Sequence, residues 1–300
     1  MTRGPRRSER RAAADRFSRR LAIVFVILAH PPAVRAEDPP QQRAPLPLYL
    51  SDRGPGMATS LFGTYVRSGE WLVYAFYEYT RTSQFEYKPG ELGFVGNEDF
   101  LGTLREHESL LFVARGLTDR MMIEVESALQ NRASFLKDPA DLSGVPNRLD
   151  ESGLGDTEGE FRWRWSDESE HRPELFSFLE VVLPLQKDKV LIGTRDWEYN
   201  LGLGVIKGHR WGTLTGCAAL TYDRADGTFD MGEYAIEYLK RVSRVWRFVG
   251  AVEGESDELQ VIVEAQARLG PHVLLKLNSG FGVTPKAPDV TPEAGVLLSW

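Results

Sequence analysis

The residues best suited to do chemistry in this chain are charged side chains that occupy alternate positions along short segments. In residues 258–269, Glu, Gln and Arg alternate with Leu, Val and Ala, and Ile262 is the one apolar residue on the polar side. Successive side chains of a strand point to opposite faces, so the pattern predicts a strand with one charged and one apolar face. On the charged faces of all the predicted strands, the fourteen acids are Glu78, Glu124, Glu126, Glu158, Glu160, Glu174, Glu180, Asp196, Glu198, Glu233, Glu237, Glu253, Glu258 and Glu264. The seven bases are Arg120, Arg162, Arg164, Arg241, Arg247, Arg268 and Lys276.

An enclosed wall on which acids outnumber bases two to one would concentrate cations. The charged face therefore predicts the lining of a net-acidic lumen. A structural interpretation stays open, because Glu and Arg on neighbouring strands can pair and hold the sheet together. A carboxylate left unpaired there is tolerated where water reaches it.

A second candidate chemistry is hydrolysis. His107 lies beside Glu106 and Glu108 at the end of a predicted strand, and Ser109 shares its face. A serine nucleophile needs a base within hydrogen-bond reach and a third group that orients the base. No flanking signature accompanies this pair, so it supports a lipid hydrolase only as an alternative.

The chain shows no motif for a metal or cofactor. The four His residues outside the leader and Cys217 have no metal-ligand spacing. The pairs Gly202-x-Gly204 and Gly280-x-Gly282 lie within strands with no helix following, so they are not phosphate loops. We interpret these glycines as points where strands bend.

The same alternation predicts twelve strands that together carry the charged face. We predict them at residues 71–81, 108–115, 120–130, 157–165, 174–185, 196–207, 211–222, 231–241, 245–253, 258–268, 272–281 and 292–300. Connections after the even-numbered strands are short, whereas Thr82 to His107 and Asn131 to Asp156 form long loops. Short and long connections on opposite ends are typical of an antiparallel, up-and-down transmembrane β-barrel, and we favour this all-β fold over a two-sheet sandwich. Thr59 to Arg67 is either a thirteenth strand or a lead-in segment, and we favour the lead-in.

Strand number decides which face is outside. Around eight strands leave room for side chains or one ligand, whereas twelve would leave an apolar interior too wide to fill, so the apolar face should touch lipid. Aromatic residues cluster on the apolar faces near strand ends, where membrane-interface girdles lie. The predicted interface aromatics are Trp163, Trp165, Trp197, Trp211, Tyr234, Tyr238, Trp246 and Trp300.

The N-terminus predicts export. An Arg-rich leader, an apolar run from Leu21 to Ala29 and Val34-Arg35-Ala36 have the order of a signal peptide cleaved after Ala36. Cleavage removes nine Arg and two acids from totals of 36 bases and 43 acids, which leaves 27 and 41 and a net charge of −14. So acidic a protein is not expected to bind nucleic acid. One cysteine excludes an internal disulfide.

The resulting organisation is a signal peptide at 1–36, a Pro-rich periplasmic linker and lead-in at 37–70, and an outer-membrane barrel at 71–300. The ending Gly295-Val296-Leu297-Leu298-Ser299-Trp300 resembles the last strand of bacterial outer-membrane barrels, which typically finish on an aromatic residue read by the barrel-assembly machinery. Gly116-Leu117-Thr118-Asp119-Arg120 resembles a periplasmic turn of transporter-like barrels, including those associated with meta-pathway phenol degradation. These resemblances imply a Gram-negative outer-membrane location, with lipid and the assembly machinery as partners.

The function we expect is passage of a small-molecule solute through the charged lumen, without enzymatic activity and without a cofactor. The alternatives are the lipid hydrolase and a structural or adhesion barrel that transports nothing.

Overall fold

Twelve long strands dominate the computed structural model, which describes residues 46–58, 65–224 and 227–300. The predicted leader, its cleavage site and residues 37–45 lie outside the described residues. The barrel strands are β1 Trp71–Tyr87, β2 Phe100–Gly116, β3 Met121–Leu136, β4 Thr157–Ser166, β5 Glu174–Val182, β6 Glu198–His209, β7 Gly212–Asp223, β8 Thr228–Arg241, β9 Trp246–Glu255, β10 Glu258–Arg268, β11 Val273–Gly282 and β12 Thr291–Ser299.

The strands form a closed cylinder. Each strand pairs antiparallel with its neighbours in the chain, and β12 pairs with β1 from Glu293 opposite Glu78 to Ser299 opposite Leu72. This last pairing removes the sheet edges, so the backbone of every strand is bonded on both sides. The prediction of a twelve-stranded up-and-down barrel is confirmed.

The two predicted long loops are wrong in extent. β1 continues to Tyr87 and β2 begins at Phe100, so the loop between them is residues 88–99. β3 continues to Leu136, and an additional strand, Arg148–Gly153, pairs with it beyond the barrel wall. Within these extensions the alternation breaks on β1 at Thr82–Gln84, where three polar residues in succession coincide with a register shift, and the inner face then becomes apolar instead of charged. Inside them, an apolar cluster that includes Tyr87, Leu104 and Phe135 holds the extensions together.

Connections of different length lie at opposite ends of the barrel. One end, here called the turn end, carries connections 117–120, 167–173, 210–211, 242–245 and 269–272. The other, here called the loop end, carries 88–99, 137–156, 183–197, 224–227, 256–257 and 283–290. Trp71 and Trp300 lie together at the turn end, where each backbone N–H bonds to the other's carbonyl.

The described residues before β1 contact the barrel. Leu48–Leu50 is a short 3₁₀ turn, and Tyr65–Val66 pairs with Met57–Ala58. Tyr65–Val66 is therefore not a thirteenth barrel strand, whereas residues 59–64 lie outside the described residues. Val66 is buried in an apolar cluster with Leu72 and Leu297.

Burial of side chains is inverted relative to a soluble protein. Leu203 and Ile236 are each 66% exposed on the outer surface, whereas Glu264 is 3% exposed and Glu237 1%. Charged groups are almost never so buried in soluble domains unless paired, and large apolar side chains are rarely so exposed. No helix of the described residues is long and apolar enough to cross a bilayer.

Candidate functional site

The interior contains a cavity of about 450 Å³, here called the acidic chamber. Its eleven acids are Glu78, Glu108, Glu124, Glu126, Asp156, Glu158, Glu160, Glu180, Glu233, Glu253 and Glu293. Its two bases are Arg162 and Lys276. Acids therefore exceed bases on this wall by more than five to one.

Strand register arranges some of these acids in a row. Glu78 on β1 lies opposite Glu293 on β12 and opposite Glu108 on β2. Neighbouring strands are separated by roughly 4.8 Å, so three carboxyl groups follow one another across three adjacent strands of the wall. We call Glu293, Glu78 and Glu108 the acidic row.

An apolar row lies two residues further along the same strands. Phe76 on β1 lies opposite Leu110 on β2 and opposite Gly295 on β12. Tyr74 stacks on Phe76 with ring centroids 4.5 Å apart, and its hydroxyl donates to Glu293. The chamber therefore offers an apolar surface directly beside a carboxyl surface.

The two bases of the chamber are each held by carboxylates and aromatic rings. Arg162 donates to Glu160, lies 3.9 Å from Glu124, and places its guanidinium 5.5 Å from the ring centroids of both Phe176 and Phe178. These distances are within the range of cation–π attraction.

Lys276 shows the same combination on the other side of the chamber. Its Nζ lies 3.4 Å from Glu264 Oε2 and 4.6 Å from the ring centroid of Tyr74. Arg162 and Lys276 therefore each contact a carboxylate and the face of an aromatic ring.

The Phe176 and Phe178 rings lie flat over a neighbouring strand because that strand has glycines beneath them. A Cβ at Gly202 would lie 2.1 Å from the Phe178 ring, and one at Gly204 would lie 2.1 Å from the Phe176 ring. The Gly202-x-Gly204 pair, interpreted above as a bend in a strand, therefore also makes room for the two rings.

The chamber extends toward the loop end. A second cavity of about 300 Å³ shares Glu180, Glu233 and Glu253 with it and reaches Ala287 and Pro288 in the last loop. Lys286 fixes this loop, since its Nζ lies 2.8 Å from Asp257 and 2.9 Å from Glu86. The hydrogen bond from Lys286 lowers the pKa of Asp257 below its usual value.

At the turn end, residues 46–56 enter the mouth of the barrel; we call them the N-terminal plug. Arg53 is 2% exposed, and its guanidinium lies 2.8 Å from Glu168 and 2.7 Å from Glu174. Lys207 and Arg164 each lie 3.4 Å from one of these carboxylates. The plug therefore docks through a buried charge network.

Backbone contacts secure the same plug. The Tyr49 carbonyl oxygen would lie 1.8 Å from a Cβ at position 208, so Gly208 on β6 allows this close approach. Asp52 accepts hydrogen bonds from the Arg241 backbone N–H at 3.0 Å and from Lys240 at 3.3 Å. The plug thus contacts the end of β6 and hydrogen-bonds to the end of β8.

A smaller cavity of about 180 Å³, here called the basic vestibule, lies beside the plug. Its charged or titratable lining residues are Arg53, Arg67, Glu70, Arg241, Arg244, Arg247, Arg268 and His272. Leu297 lines both this vestibule and the acidic chamber, so an apolar layer lies between two cavities of opposite charge.

The predicted lumen residues fall into separate groups. Those on the chamber wall are Glu78, Glu124, Glu126, Glu158, Glu160, Arg162, Glu180, Glu233, Glu253 and Lys276. Arg241, Arg247 and Arg268 line the vestibule. Arg164, Glu174, Glu237 and Glu264 are buried, Glu258 borders the loop-end cavity, and Glu198 begins β6.

Two predicted lumen residues lie outside the strands. Arg120 is exposed in the turn before β3, where it lies 3.7 Å from Asp167. Asp196 is exposed in the loop before β6. β3 begins one residue later than predicted and β6 begins two residues later, so Arg120 and Asp196 precede these strands.

The predicted interface aromatics form two groups along the outer surface. Toward the turn end, Trp163 stacks on Trp165, and Trp211 stacks on Tyr238; Trp246 and Trp300 are also exposed there. Toward the loop end, Trp197 stacks on Tyr199, and Tyr234 donates to the Glu258 carbonyl oxygen.

The separation of the two groups fits a bilayer. Trp211 directly precedes β7, and Tyr222, whose ring lies 6.4 Å from that of Tyr199, is near the other end of β7, eleven residues further along the chain. At about 3.3 Å per residue this is roughly 36 Å of strand. A tilt of about 40° reduces it to about 28 Å, close to the apolar band of outer-membrane barrels.

The positions of His107 and Ser109 do not support the Ser–His alternative. His107 Nδ1 lies 2.6 Å from the Tyr77 hydroxyl, and the ring packs against Tyr79 on the outer face. Among the described residues, Ser109 makes no hydrogen bond with His107. Within residues 46–58, 65–224 and 227–300, no cluster of His, Cys, Asp or Glu has the arrangement of a metal site.

Sequence reasoning missed Glu108, Asp156 and Glu293 on the chamber wall. It also missed Arg53 in the plug and Glu168, the carboxylate with which Arg53 pairs. Glu108 shares its face of β2 with Leu110 and Phe112, so the rule that charged faces point inward did not select it. A signal for the plug exists: Asp52-Arg53 lies between Leu48-Tyr49-Leu50 and Gly54-Pro55-Gly56.

Comparison with solved structures identifies the architecture. The COG4313 outer membrane channel from Pseudomonas putida F1 aligns over 78% of this chain and 97% of its own, with 13% identity and a TM-score of 0.55. This chain has the fold of that outer-membrane channel. The resemblance to outer-membrane barrels is thereby confirmed at the level of the fold.

More distant barrels align as well. The translocator domain of the autotransporter NalP from Neisseria meningitidis covers 77% of this chain and 88% of its own, with 11% identity and a TM-score of 0.41. The Ralstonia pickettii toluene transporter TbuX covers the same shares, with 7% identity and a TM-score of 0.38. No family model and no curated protein matches the chain.

Proposed function

We propose that this protein is an outer-membrane channel that passes small solutes, with a preference for cations. The observation that carries the proposal is the inverted barrel, whose outer surface is apolar and whose interior encloses the acidic chamber. An apolar exterior requires lipid around it, and an enclosed acidic wall selects the sign of the solute.

Location and orientation rest on several sequence and surface features. Residues 1–36 have the order of a signal peptide, and two aromatic groups frame the outer surface. Trp300, directly after β12, provides an aromatic residue of the kind by which the barrel-assembly machinery would recognise the last strand. The turn end then faces the periplasm, because short turns face that side in outer-membrane barrels.

The solute path would begin at the loop end. A solute would pass the cavity beside Pro288, enter the acidic chamber, and meet the N-terminal plug before the periplasm. The plug is held by a buried network around Arg53, so it would limit the rate of exit. This arrangement predicts a narrow channel of low conductance.

The test is current recording from purified protein in planar bilayers under a potassium chloride gradient. We expect small open events whose reversal potential shows cation selectivity. Glu233→Gln combined with Glu253→Gln should shift the reversal potential toward zero, whereas Glu98→Gln in the exposed first loop should leave it unchanged. Absence of conductance, or anion selectivity in the unaltered protein, would refute the proposal.

A further inference from the structure

The geometry points to organic ammonium ions that carry an apolar body as the solutes that bind in the acidic chamber. This inference rests on the proposed function, since it names the class of solute for the same cavity. A chamber of about 450 Å³ lies toward the small end of the roughly 300–1,000 Å³ range of ligand pockets. It therefore suits a small amine.

The chamber wall has two surfaces at the spacing such a molecule needs. Phe76 and Glu78 point into the same cavity from β1 and are two residues apart. Two residues of strand span roughly 6.6 Å, which is comparable to the distance between an aromatic ring and an ammonium group joined by two carbons. An apolar body would lie on the apolar row while its ammonium group reaches the acidic row.

Resident cations show that this environment holds positive charge. The Arg162 guanidinium and the Lys276 ammonium each lie against a carboxylate and a ring within 5.5 Å. A soluble ammonium ion would use the same pair of interactions, a charge-assisted hydrogen bond and cation–π attraction. A metal ion would use the carboxylates but gain little from Phe76 and Leu110.

Asn131 holds the carboxyl group at the end of the acidic row. It lies on β3 opposite Glu108 and is 3% exposed. Its Nδ2 donates to Glu108 Oε1 at 2.6 Å and so positions that carboxyl group on the chamber wall. A primary ammonium group brings three donors, which match the carboxyl oxygens of the acidic row.

The experiment is isothermal titration of the full mature chain in detergent, with matched detergent blanks. The probe is phenethylammonium, and the controls are phenethyl alcohol, which lacks the charge, and ethylammonium, which lacks the ring. We expect saturable binding of phenethylammonium that is at least roughly ten-fold tighter than that of either control, since each loses one of the two interactions. Equal binding of phenethyl alcohol or of ethylammonium would overturn the inference.

Matched variants test the two rows separately. Glu78→Gln keeps the side-chain shape and should weaken phenethylammonium roughly three- to ten-fold, whereas Glu98→Gln in the exposed first loop should not. Phe76→Leu should weaken it by a similar factor, whereas Phe248→Leu on the outer surface should not. If neither inner variant changes binding, the site is not the one described.

The assay separates this inference from the proposed function. Titration needs no passage of solute, so binding without conductance would refute the channel and keep the ammonium site. Conductance without binding of phenethylammonium would refute the ammonium site and keep the channel.

Discussion

Cys217 provides a natural probe of the charge inside the barrel. It is the one cysteine of the chain, it is free and partly exposed, and it lines the acidic chamber. Two methanethiosulfonates of similar size, one with a trimethylammonium group and one with a sulfonate, react with the same thiol. The ratio of their rates, divided by the ratio for a small free thiol, therefore reports the local potential.

The expected size of the effect follows from register. Ala235 lies opposite Cys217, so Glu233 is its diagonal neighbour across β7 and β8. Diagonal neighbours on one face are about 7.5 Å apart. At that distance one charge contributes about 0.55 kcal/mol in a medium as polar as water. This is about 2.5-fold for each reagent, in opposite directions, and therefore about six-fold in the ratio.

Glu233→Gln should accordingly lower the normalised cation-to-anion ratio at least about six-fold, and more if the chamber is less polar than water. The assay uses about 10 mM salt, where screening extends over roughly 30 Å. Glu98→Gln is the matched control in the exposed first loop, and Cys217→Ala gives the background. A ratio near one in the unaltered protein, or a ratio that Glu233→Gln leaves unchanged, would refute the acidic chamber as an ion-attracting space.

Three further predictions concern the plug and the wall. Arg53→Met leaves two buried carboxylates without their main partner, and breaking a buried pair costs roughly 3–5 kcal/mol, so the plug should undock and single-channel conductance should rise at least about two-fold. Arg120→Met, in an exposed turn at the same end of the barrel, should not raise it. Leu203→Arg places a charge on the apolar band and should lower the free energy of unfolding in vesicles by about 2–4 kcal/mol, measured by urea titration. Gly202→Ala should displace the Phe178 ring and cost roughly 1–3 kcal/mol in the same titration, and an unchanged midpoint would contradict the proposed packing.

The alternation of side chains was sufficient to predict the wall. The limits of β10, Glu258–Arg268, follow from its strict polar and apolar alternation, and the pairing of β12 with β1 follows from an even number of strands. Strand ends were less predictable beyond Arg81 on β1. Three polar residues follow there at a register shift, and the inner face then changes from charged to apolar, so the alternation is interrupted while the strand pairing continues.

The site was less predictable because register and packing determine it. Glu108 reaches the chamber wall from a strand whose inner face is otherwise largely apolar, and only pairing with Glu78 places it in the acidic row. The plug depends on contacts such as that of Arg53 with Glu168, which are more than a hundred residues apart in sequence. Local composition around the plug indicates only an extended linker. Its docking could not be predicted, because docking is a tertiary interaction.

The two cavities together constrain how a cation could leave the barrel. The acidic chamber lowers the energy of a cation in the middle, whereas the vestibule carries Arg67, Arg244 and Arg268 around the exit. Leu297 borders both, so the step between them crosses an apolar layer and ends in a field of opposite sign. Arg53 belongs to the plug and to the vestibule at once, and undocking the plug would therefore remove the steric block and one of the repelling charges in a single movement. An open exit therefore requires the buried carboxylates Glu168 and Glu174, which lose Arg53, to find water or another cation.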